Sequence, residues 1–365
     1  MKSQVNVFLL FIVSCVMISC NNLDNGIEGF PSVSTKYNLC VTKVDGSGFQ
    51  DLGESYPAKF MFFIQNDTKL LLLNNDKLRI IDLTNFNNVK EISLNFTNIV
   101  QAEISPNQEY LALSAATNTN MDIHLINLSN NEILNLTNTP GQVENYPSFS
   151  HDNATIIYAT YPEEAGITDQ TISVYDLPNK RSEVLIKKPD PKDVWTPIFN
   201  YPQFGQGDSL IYYINHTLNA GIFDSLFAFS IKDSGSKFLY SNLSYLGPMK
   251  VSSNSETAIF ITNDYPNHLI SFDLDNDQAK YIDDLPEWDF DYSISKDGSK
   301  LAYVITVQKN KLDNQTVNQY YDYELWITNN NGTDNKLLSN GIKPIFSSDG
   351  SEIAFYKTTN QIESY

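Results

Sequence analysis

The sequence predicts an all-β protein assembled from a repeated four-stranded unit, and three observations carry the prediction. Helical periodicity is almost absent along the 365 residues. Short runs rich in Ile, Leu, Tyr, Phe and Val alternate instead with turns of Asn, Asp, Gly and Ser, which is the pattern of strands and tight connections. The runs recur roughly every 40–50 residues, the period at which each unit is one small sheet and the units close into a β-propeller.

The N-terminus stands apart from this pattern. Met1-Lys2 precedes an apolar run from Val5 to Ile18, broken only by Asn6, Ser14 and Cys15, and the segment ends on Ser19-Cys20. One early charge, a short apolar core and a small residue before the cut describe a signal peptide over residues 1–19. The core, about 14 residues rising about 1.5 Å each, spans roughly 21 Å and falls short of the ~30 Å hydrocarbon slab, so a permanent transmembrane helix is not expected. Cys20 after the cut resembles the lipobox of bacterial lipoproteins. That resemblance implies a diacylglycerol on its thiol, palmitate being the expected chain, and a membrane partner through this anchor. Ile12-Val13-Ser14-Cys15 offers a second such box but leaves only a stub of apolar core before it. Acyl chains contribute about 0.8 kcal/mol per buried methylene, and two or more of them anchor stably. Residues 20–35, which include Asn-Asn-Leu-Asp-Asn-Gly, read as a tether, and residues 36–365 as the propeller.

Within the propeller, one unit runs from Ala102 through Ser105-Pro106-Asn107 to Leu113, then from Asp122 to Glu132. The next runs from Tyr146 through Ser150-His151-Asp152-Asn153 to Tyr158, then from Thr171 to Lys180. A later one runs from Phe290 through Ser295-Lys296-Asp297-Gly298 to Tyr303, then from Tyr323 to Gly332, and the last starts at Ile342. Units begin near Tyr56, Ile99, Gln142, Asp193, Leu246 and Trp288. The seventh has room for only two strands before Tyr365, and its missing outer half is supplied by Tyr37–Leu52, a strand, an Asp45-Gly46 turn and a strand. Seven four-stranded blades closed by both termini are therefore expected, with six or eight as the alternatives, because the unit from Asp193 is long and irregular. Such closure pairs strand edges that would otherwise template aggregation.

Phe346-Ser-Ser-Asp-Gly-Ser-Glu-Ile-Ala-Phe355 and Ile294-Ser-Lys-Asp-Gly-Ser-Lys-Leu-Ala-Tyr303 resemble the WD-type propeller repeat of TolB-like periplasmic proteins. The chain departs from the usual Trp-Ser-Pro-Asp-Gly core, with Phe149 and Phe346 where Trp is common, Ile104 and Ile294 in place of an aromatic, and the Pro kept only at Pro106. The resemblance implies a fold, an envelope location and a protein partner, and carries no activity.

Composition narrows the partners. Cleavage before Cys20 takes the formal charge from −19 to −20, and so acidic a surface repels phosphate backbones, which excludes nucleic acid as a natural partner. It also excludes a polybasic grip on anionic lipid. With Cys20 acylated, Cys40 has no disulfide partner and reads as a small buried strand residue.

No constellation for catalysis, metal or cofactor is legible. His124, His151, His216 and His268 are not at metal-ligand spacing from one another. His216 and His268 follow second strands and are the pair to watch for a loop metal site. Ser209 lacks the second glycine of a hydrolase elbow, and Asp273–Asp277 lacks the Gly and Glu of a calcium loop. Tyr158, Tyr212 and Tyr303 are expected to fill layers between blades. The remaining candidate is the top face, where each inner strand begins. It gathers Glu144, Tyr146, Trp195, Trp288, Asp289, Asp291, Tyr320 and Tyr321, with long loops expected over Glu163–Gln170, His216–Asp224 and Gln308–Asp322. Rings beside carboxylates and amides suit a glycan or a protein hot spot. The expected function is a membrane-anchored, non-catalytic platform for a protein or glycan at the cell envelope. The alternative is a polysaccharide lyase or glycosidase using paired carboxylates such as Asp289 and Asp291 at the channel mouth.

Overall fold

The computed structural model describes residues 32–117, 120–162, 170–187, 197–218, 222–242, 246–262, 267–285, 291–313 and 316–363. Among these, every regular element is a strand except one short 3-10 turn at Gln206–Asp208. The strands fall into antiparallel groups of four, blades 1 to 7 in the order of their inner strands. Those inner strands are Phe60–Ile64, Asn98–Ile104, Gln142–Phe149, Pro197–Phe204, Lys250–Val251, Tyr292–Ile294 and the second half of Lys336–Phe346.

The two ends of the described chain meet in blade 7. Ser32–Lys43 pairs with Glu352–Glu363 along its whole length, from Ser32↔Glu363 to Lys43↔Glu352, and Gln50–Glu54 adds the outer edge. The N-terminal strands thus complete the C-terminal sheet, as the repeat count required. The closing strand begins at Ser32, upstream of the boundary expected at residue 36, because the ladder continues and Thr35 donates to Asn360 Oδ1 at 2.8 Å. A second difference lies over 308–322, expected as a loop. Lys300–Asp313 and Thr316–Asn329 form one long hairpin there, since Val307, Leu312, Val317, Tyr320, Tyr321 and Tyr323 sustain strand propensity past the blade. Likewise His216 and Asp224 sit opposite each other in paired strands rather than at the ends of a loop.

The core closes into a ring because each apolar cluster is shared by neighbouring blades. Leu71 and Ile80 meet Ile99 and Leu111 between blades 1 and 2. Ile123, Phe149 and Tyr158 join blades 2 and 3, and Ile157, Ile172, Ile211 and Tyr213 join blades 3 and 4. Tyr212, Leu226 and Phe260 bridge 4 and 5, and Leu269, Leu301 and Tyr303 bridge 5 and 6. Val304, Phe355, Tyr356, Phe63 and Leu72 connect 6, 7 and 1. Both faces of the middle strands are therefore covered, which is why Leu70–Leu73 and Thr257–Thr262 read as unbroken buried runs. Each large side chain so buried contributes about 1.5–3 kcal/mol.

The repeated turn joins first and second strands on the bottom face. Ser105, Ser150, Ser252, Ser295 and Ser347 donate their hydroxyls to Asn107, Asp152, Asn254, Asp297 and Asp349 at 2.6–2.7 Å. Each hydroxyl in turn accepts the amide five residues on. One slot of this turn has positive φ, filled by Gln108, Asn153, Asp208, Ser255, Gly298 and Gly350. The Asp-Gly pairs of the sequence follow from that slot. Turns also latch to their neighbours: Asn66 N–H to Gln108 Oε1, Asn107 N–H to Asn153 Oδ1, and Ser348 N–H to Asp67, all at 2.9 Å.

Candidate functional site

The channel mouth is built by a backbone irregularity that three inner strands share. Asn145-Tyr146-Pro147, Asn200-Tyr201-Pro202 and Ile342-Lys343-Pro344 each interrupt the register with their second strand. Tyr146, Tyr201 and Lys343 have φ of 56°, 52° and 55°. Positive φ at a non-glycine residue ahead of proline costs on the order of 1–3 kcal/mol, and such strain concentrates at sites where a side chain must be aimed. The Tyr146 and Tyr201 rings lie 4.4 Å apart between centroids, tilted by 54°. Lys343 donates its backbone N–H to Asp291 Oδ2 at 3.0 Å, tying blade 7 to blade 6.

Below this level, charged side chains converge from blades that do not touch. Glu103 belongs to blade 2 and Lys250 to blade 5, and the charge of each bears on the other across the ring. Lys250 is enclosed by protein and still keeps open surface, as a side chain lining a channel does. Its Nζ donates to the Tyr292 carbonyl at 2.8 Å and lies 5.2 Å from that ring's centroid. Burial pulls the Lys250 ammonium below the usual lysine range; Asp291 and Glu103 act against this and Lys343 with it. Glu103 is pushed up to about 7 by burial, opposed by the Phe149 N–H and the Ser148 hydroxyl, both donating to Oε1 at 3.1 Å. Gln203 accepts from Val251 N–H at 2.6 Å and donates to the Met249 carbonyl at 3.0 Å, locking blade 4 to blade 5. At the rim, Lys59 donates to Asn98 Oδ1 at 3.1 Å and is lowered by burial and by Lys343.

Of the residues expected on the top face, Tyr146 and Asp291 line this mouth. Trp195, Trp288 and Asp289 lie outside the described residues. Glu144 is 2 % exposed, its carboxylate accepting from the Thr139 and Thr137 hydroxyls beside Asp122. Burial first, and then the Asp122 charge, pushes Glu144 up to about 7 against the Thr139 bond. Tyr320 lines a separate cleft of about 530 Å³ with Asp322, Asn340, Lys357 and Asn360, and Tyr321 stands 56 % exposed on the same hairpin. Tyr201, Lys250, Lys343 and Glu103 were not singled out in the sequence. Three of the mouth positions had a readable signal, since Tyr146-Pro147, Tyr201-Pro202 and Lys343-Pro344 each stand four residues before the turn residues Ser150, Gly205 and Ser347.

The histidines are each engaged structurally. His124 packs edge-on to Phe96 at 4.8 Å, and burial lowers its pKa. His151 bridges Asp208 Oδ1 at 2.7 Å and the Ser253 carbonyl at 2.9 Å. His216 pairs with buried Asp224, which also accepts the Leu246 N–H at 2.7 Å, and His268 pairs with Asp284 at 2.7 Å. Among the described residues, no three His, Cys, Asp or Glu side chains are grouped to hold a metal ion.

No family profile matches the sequence, and no curated protein matches it either. Solved structures do. An oligogalacturonate lyase in complex with manganese aligns over 90 % of this chain and 97 % of its own at 10 % identity, with a TM-score of 0.61. The oligogalacturonate lyase of Vibrio parahaemolyticus aligns over 90 % and 98 % at 11 % identity, with a TM-score of 0.60. TolB from Acinetobacter baumannii aligns over 90 % of this chain and 66 % of its own at 12 % identity, with a TM-score of 0.48. The chain therefore has the β-propeller fold that the oligogalacturonate lyases share.

Proposed function

We propose that this protein is a non-catalytic binding platform of the bacterial cell envelope, held to a membrane by acylated Cys20, that receives its ligand at the top mouth of the channel. The observation carrying the reading is the trio of strained bulges at Tyr146, Tyr201 and Lys343. Three separate inner strands bear the same cost at the same position, four residues before the bottom turn, where a bulge re-aims the side chain. The paired phenol rings of Tyr146 and Tyr201 offer a stacking surface, which suits a glycan ring or an aromatic protein anchor.

The test uses the exported chain from Asn21, a glycan array and an envelope pull-down, with a Tyr146→Ala/Tyr201→Ala double variant and a Trp195→Ala/Trp288→Ala variant as comparisons. Binding lost in the tyrosine variant at unchanged melting temperature supports the channel mouth. Binding lost only in the tryptophan variant moves the site to the residues flanking blades 4 and 6. Two intact variants exclude the top face.

A second reading, an enzyme acting on a polysaccharide at the same mouth, is favoured by one observation. Glu103, held near 7 in the channel, has the acidity a general acid or base needs at neutral pH. Mass analysis of a bound glycan after incubation decides between the two, since a platform returns its ligand intact.

A further inference from the structure

In the sheet that closes the ring, Lys336–Phe346 runs between Thr316–Asn329 and Glu352–Glu363. It covers only the lower part of each. Its first half pairs with the one from Lys336↔Ile327 to Asn340↔Glu324, and its second half with the other from Gly341↔Lys357 to Phe346↔Ile353. Both flanking strands continue past it. Thr316–Asp322 stays paired with Val307–Asp313, and Thr358–Glu363 with Ser32–Tyr37, each on its far side. Among the described residues, no strand pairs with either of them on the side that Lys336–Phe346 covers lower down. Between these two edges lies the cleft of about 530 Å³, with Tyr320 and Asp322 on one wall, Thr358 and Thr359 on the other, and Asn340 at its floor.

One side chain spans the gap and shows what the edges recognise. Asn360 Nδ2 donates to the Tyr321 carbonyl at 2.9 Å and to Asp322 Oδ1 at 2.7 Å, while its Oδ1 accepts from Thr35 Oγ1 at 2.8 Å. The edges are too far apart for a direct ladder bond, since a whole side chain is needed to join them. A carboxamide carries the same donor and acceptor as a peptide unit, so the Tyr321 carbonyl already takes from Asn360 the bond that a strand N–H would give it. Unpaired strand edges are templates for a further strand, and adding one is a recurring mode of peptide recognition. Lys357 supplies the charge. Its ammonium lies 5.2 Å from the Phe49 ring centroid and makes no ion pair among the described residues, whereas Asp322 is held by Asn360. An occupant that brings a carboxylate complements it.

We infer that this cleft is a docking slot for a partner protein, which inserts an extended, acid-bearing segment as a strand between Thr316–Asp322 and Thr358–Glu363. The segment's main chain pairs with the two edges over roughly 20 Å and takes over the Tyr321 carbonyl from Asn360. Its carboxylate meets Lys357, and alternate side chains fall beside Tyr320 and Thr359. The slot is separate from the channel mouth, and the inference holds whatever binds there.

The experiment selects phage-displayed random heptapeptides on the exported chain from Asn21. A Thr359→Trp variant, in which an indole fills the cleft from an exposed position, is the control. The expected outcome is a set of sequences with alternating β-branched residues and an Asp or Glu, enriched on the parent at least about tenfold over the variant. A synthetic peptide of that set is expected to slow amide exchange at least about fivefold within 316–322 and 358–363 and to leave the bottom turns unchanged. N-methylation of alternate amides in the peptide abolishes its binding. Lys357→Met weakens the acid-bearing peptide but not its amide counterpart. If Thr359→Trp melts early, the exchange pattern on the parent decides alone. No enrichment on the parent, or protection confined to residues outside the two edges, overturns the inference. So does self-association of the parent that Thr359→Trp abolishes while no peptide is selected, which would give the slot to a second copy of this chain. A neutral glycan bound by the parent and lost in Thr359→Trp, again without a selected peptide, overturns it in favour of a saccharide cleft. The Tyr146→Ala/Tyr201→Ala variant keeps peptide binding, so the channel-mouth reading and this one fail separately.

Discussion

Two buried hydroxyl and carboxyl contacts show how single atoms decide stability here. Tyr356 is fully buried, and its phenol oxygen accepts the Ala58 N–H at 3.0 Å across the closing blades. Tyr356→Phe keeps the ring and leaves that amide without a partner, so it is expected to cost about 1–3 kcal/mol in chemical denaturation, more than an ordinary hydroxyl deletion. Glu144 makes the opposite case. Its folded pKa of about 7 lies above the 4.5 of an unperturbed glutamate, so the folded state holds a proton that the unfolded chain has released. The contribution is full below about 4.5 and is lost as pH rises through about 7. Glu144→Gln is expected to remove this loss, gaining on the order of 1–2 kcal/mol over the parent at pH 8 and nothing at pH 4.5. Denaturation at the two pH values checks it, and a gain of equal size at both would show that the carboxylate is not the titrating group.

The informative elements are the closing strand and the two elements that rise beside it. Ser32–Lys43 buries Leu39, Cys40 and Val41 between blades 7 and 1 and supplies the ladder for Glu352–Glu363. Removing residues 1–51 is expected to cost at least about 5 kcal/mol relative to removing residues 1–31, from those side chains alone. Equal melting midpoints for the two truncations would refute closure through both ends. Beside that strand, the Lys300–Asp313 and Thr316–Asn329 hairpin is held to blade 7 by Asn360, which donates to the Tyr321 carbonyl at 2.9 Å and to Asp322 Oδ1 at 2.7 Å. Asn360 thus ties the rim of blade 6 to blade 7, and Asn360→Ala is expected to speed backbone hydrogen exchange over Tyr320–Tyr323 while leaving the bottom turns unchanged.

For the molecule as a whole, strand direction links the proposed anchor to the proposed mouth. Ser32 pairs with Glu363, beyond the level at which Gly341 opens the inner strand of blade 7, so the closing strand starts at the same end as Lys343 and Tyr146. The twelve residues from Cys20 to Ser32 reach at most about 42 Å. An acylated Cys20 would thus hold the mouth toward its own membrane and turn the latched serine turns away. Buried Cys40, its thiol pushed up to about 11, stays silent to labelling. A fluorophore on Tyr321→Cys is therefore expected to be quenched by headgroup-labelled vesicles more strongly than one on Asp45→Cys at the opposite end. Equal quenching would show that the two faces are equivalent to the membrane.

How much was legible follows from these scales. Strand class, repeat, turn chemistry and closure by both ends could be read in the sequence, because each depends on local pattern: apolar runs, Ser-x-Asp turns, and a last unit lacking two strands. Tyr158, Tyr212 and Tyr303 were recognisable as core for the same reason, and all three are buried. The hairpin over 308–322 has the sequence character of a loop, because polar residues stand among its tyrosines and its strand state depends on the partner strand. Glu144 shared its neighbours' polarity but not their exposure, which Asp122 and Thr139 from the adjoining blade decide. The channel was the least legible of all. Glu103, Lys250 and Lys343 lie far apart along the chain, and their charges meet only when the ring closes. Local pattern by itself determined the strands, the turns and the propeller; the tertiary structure alone decided which charges share the axis, because that proximity is a property of the closed ring and of no segment within it.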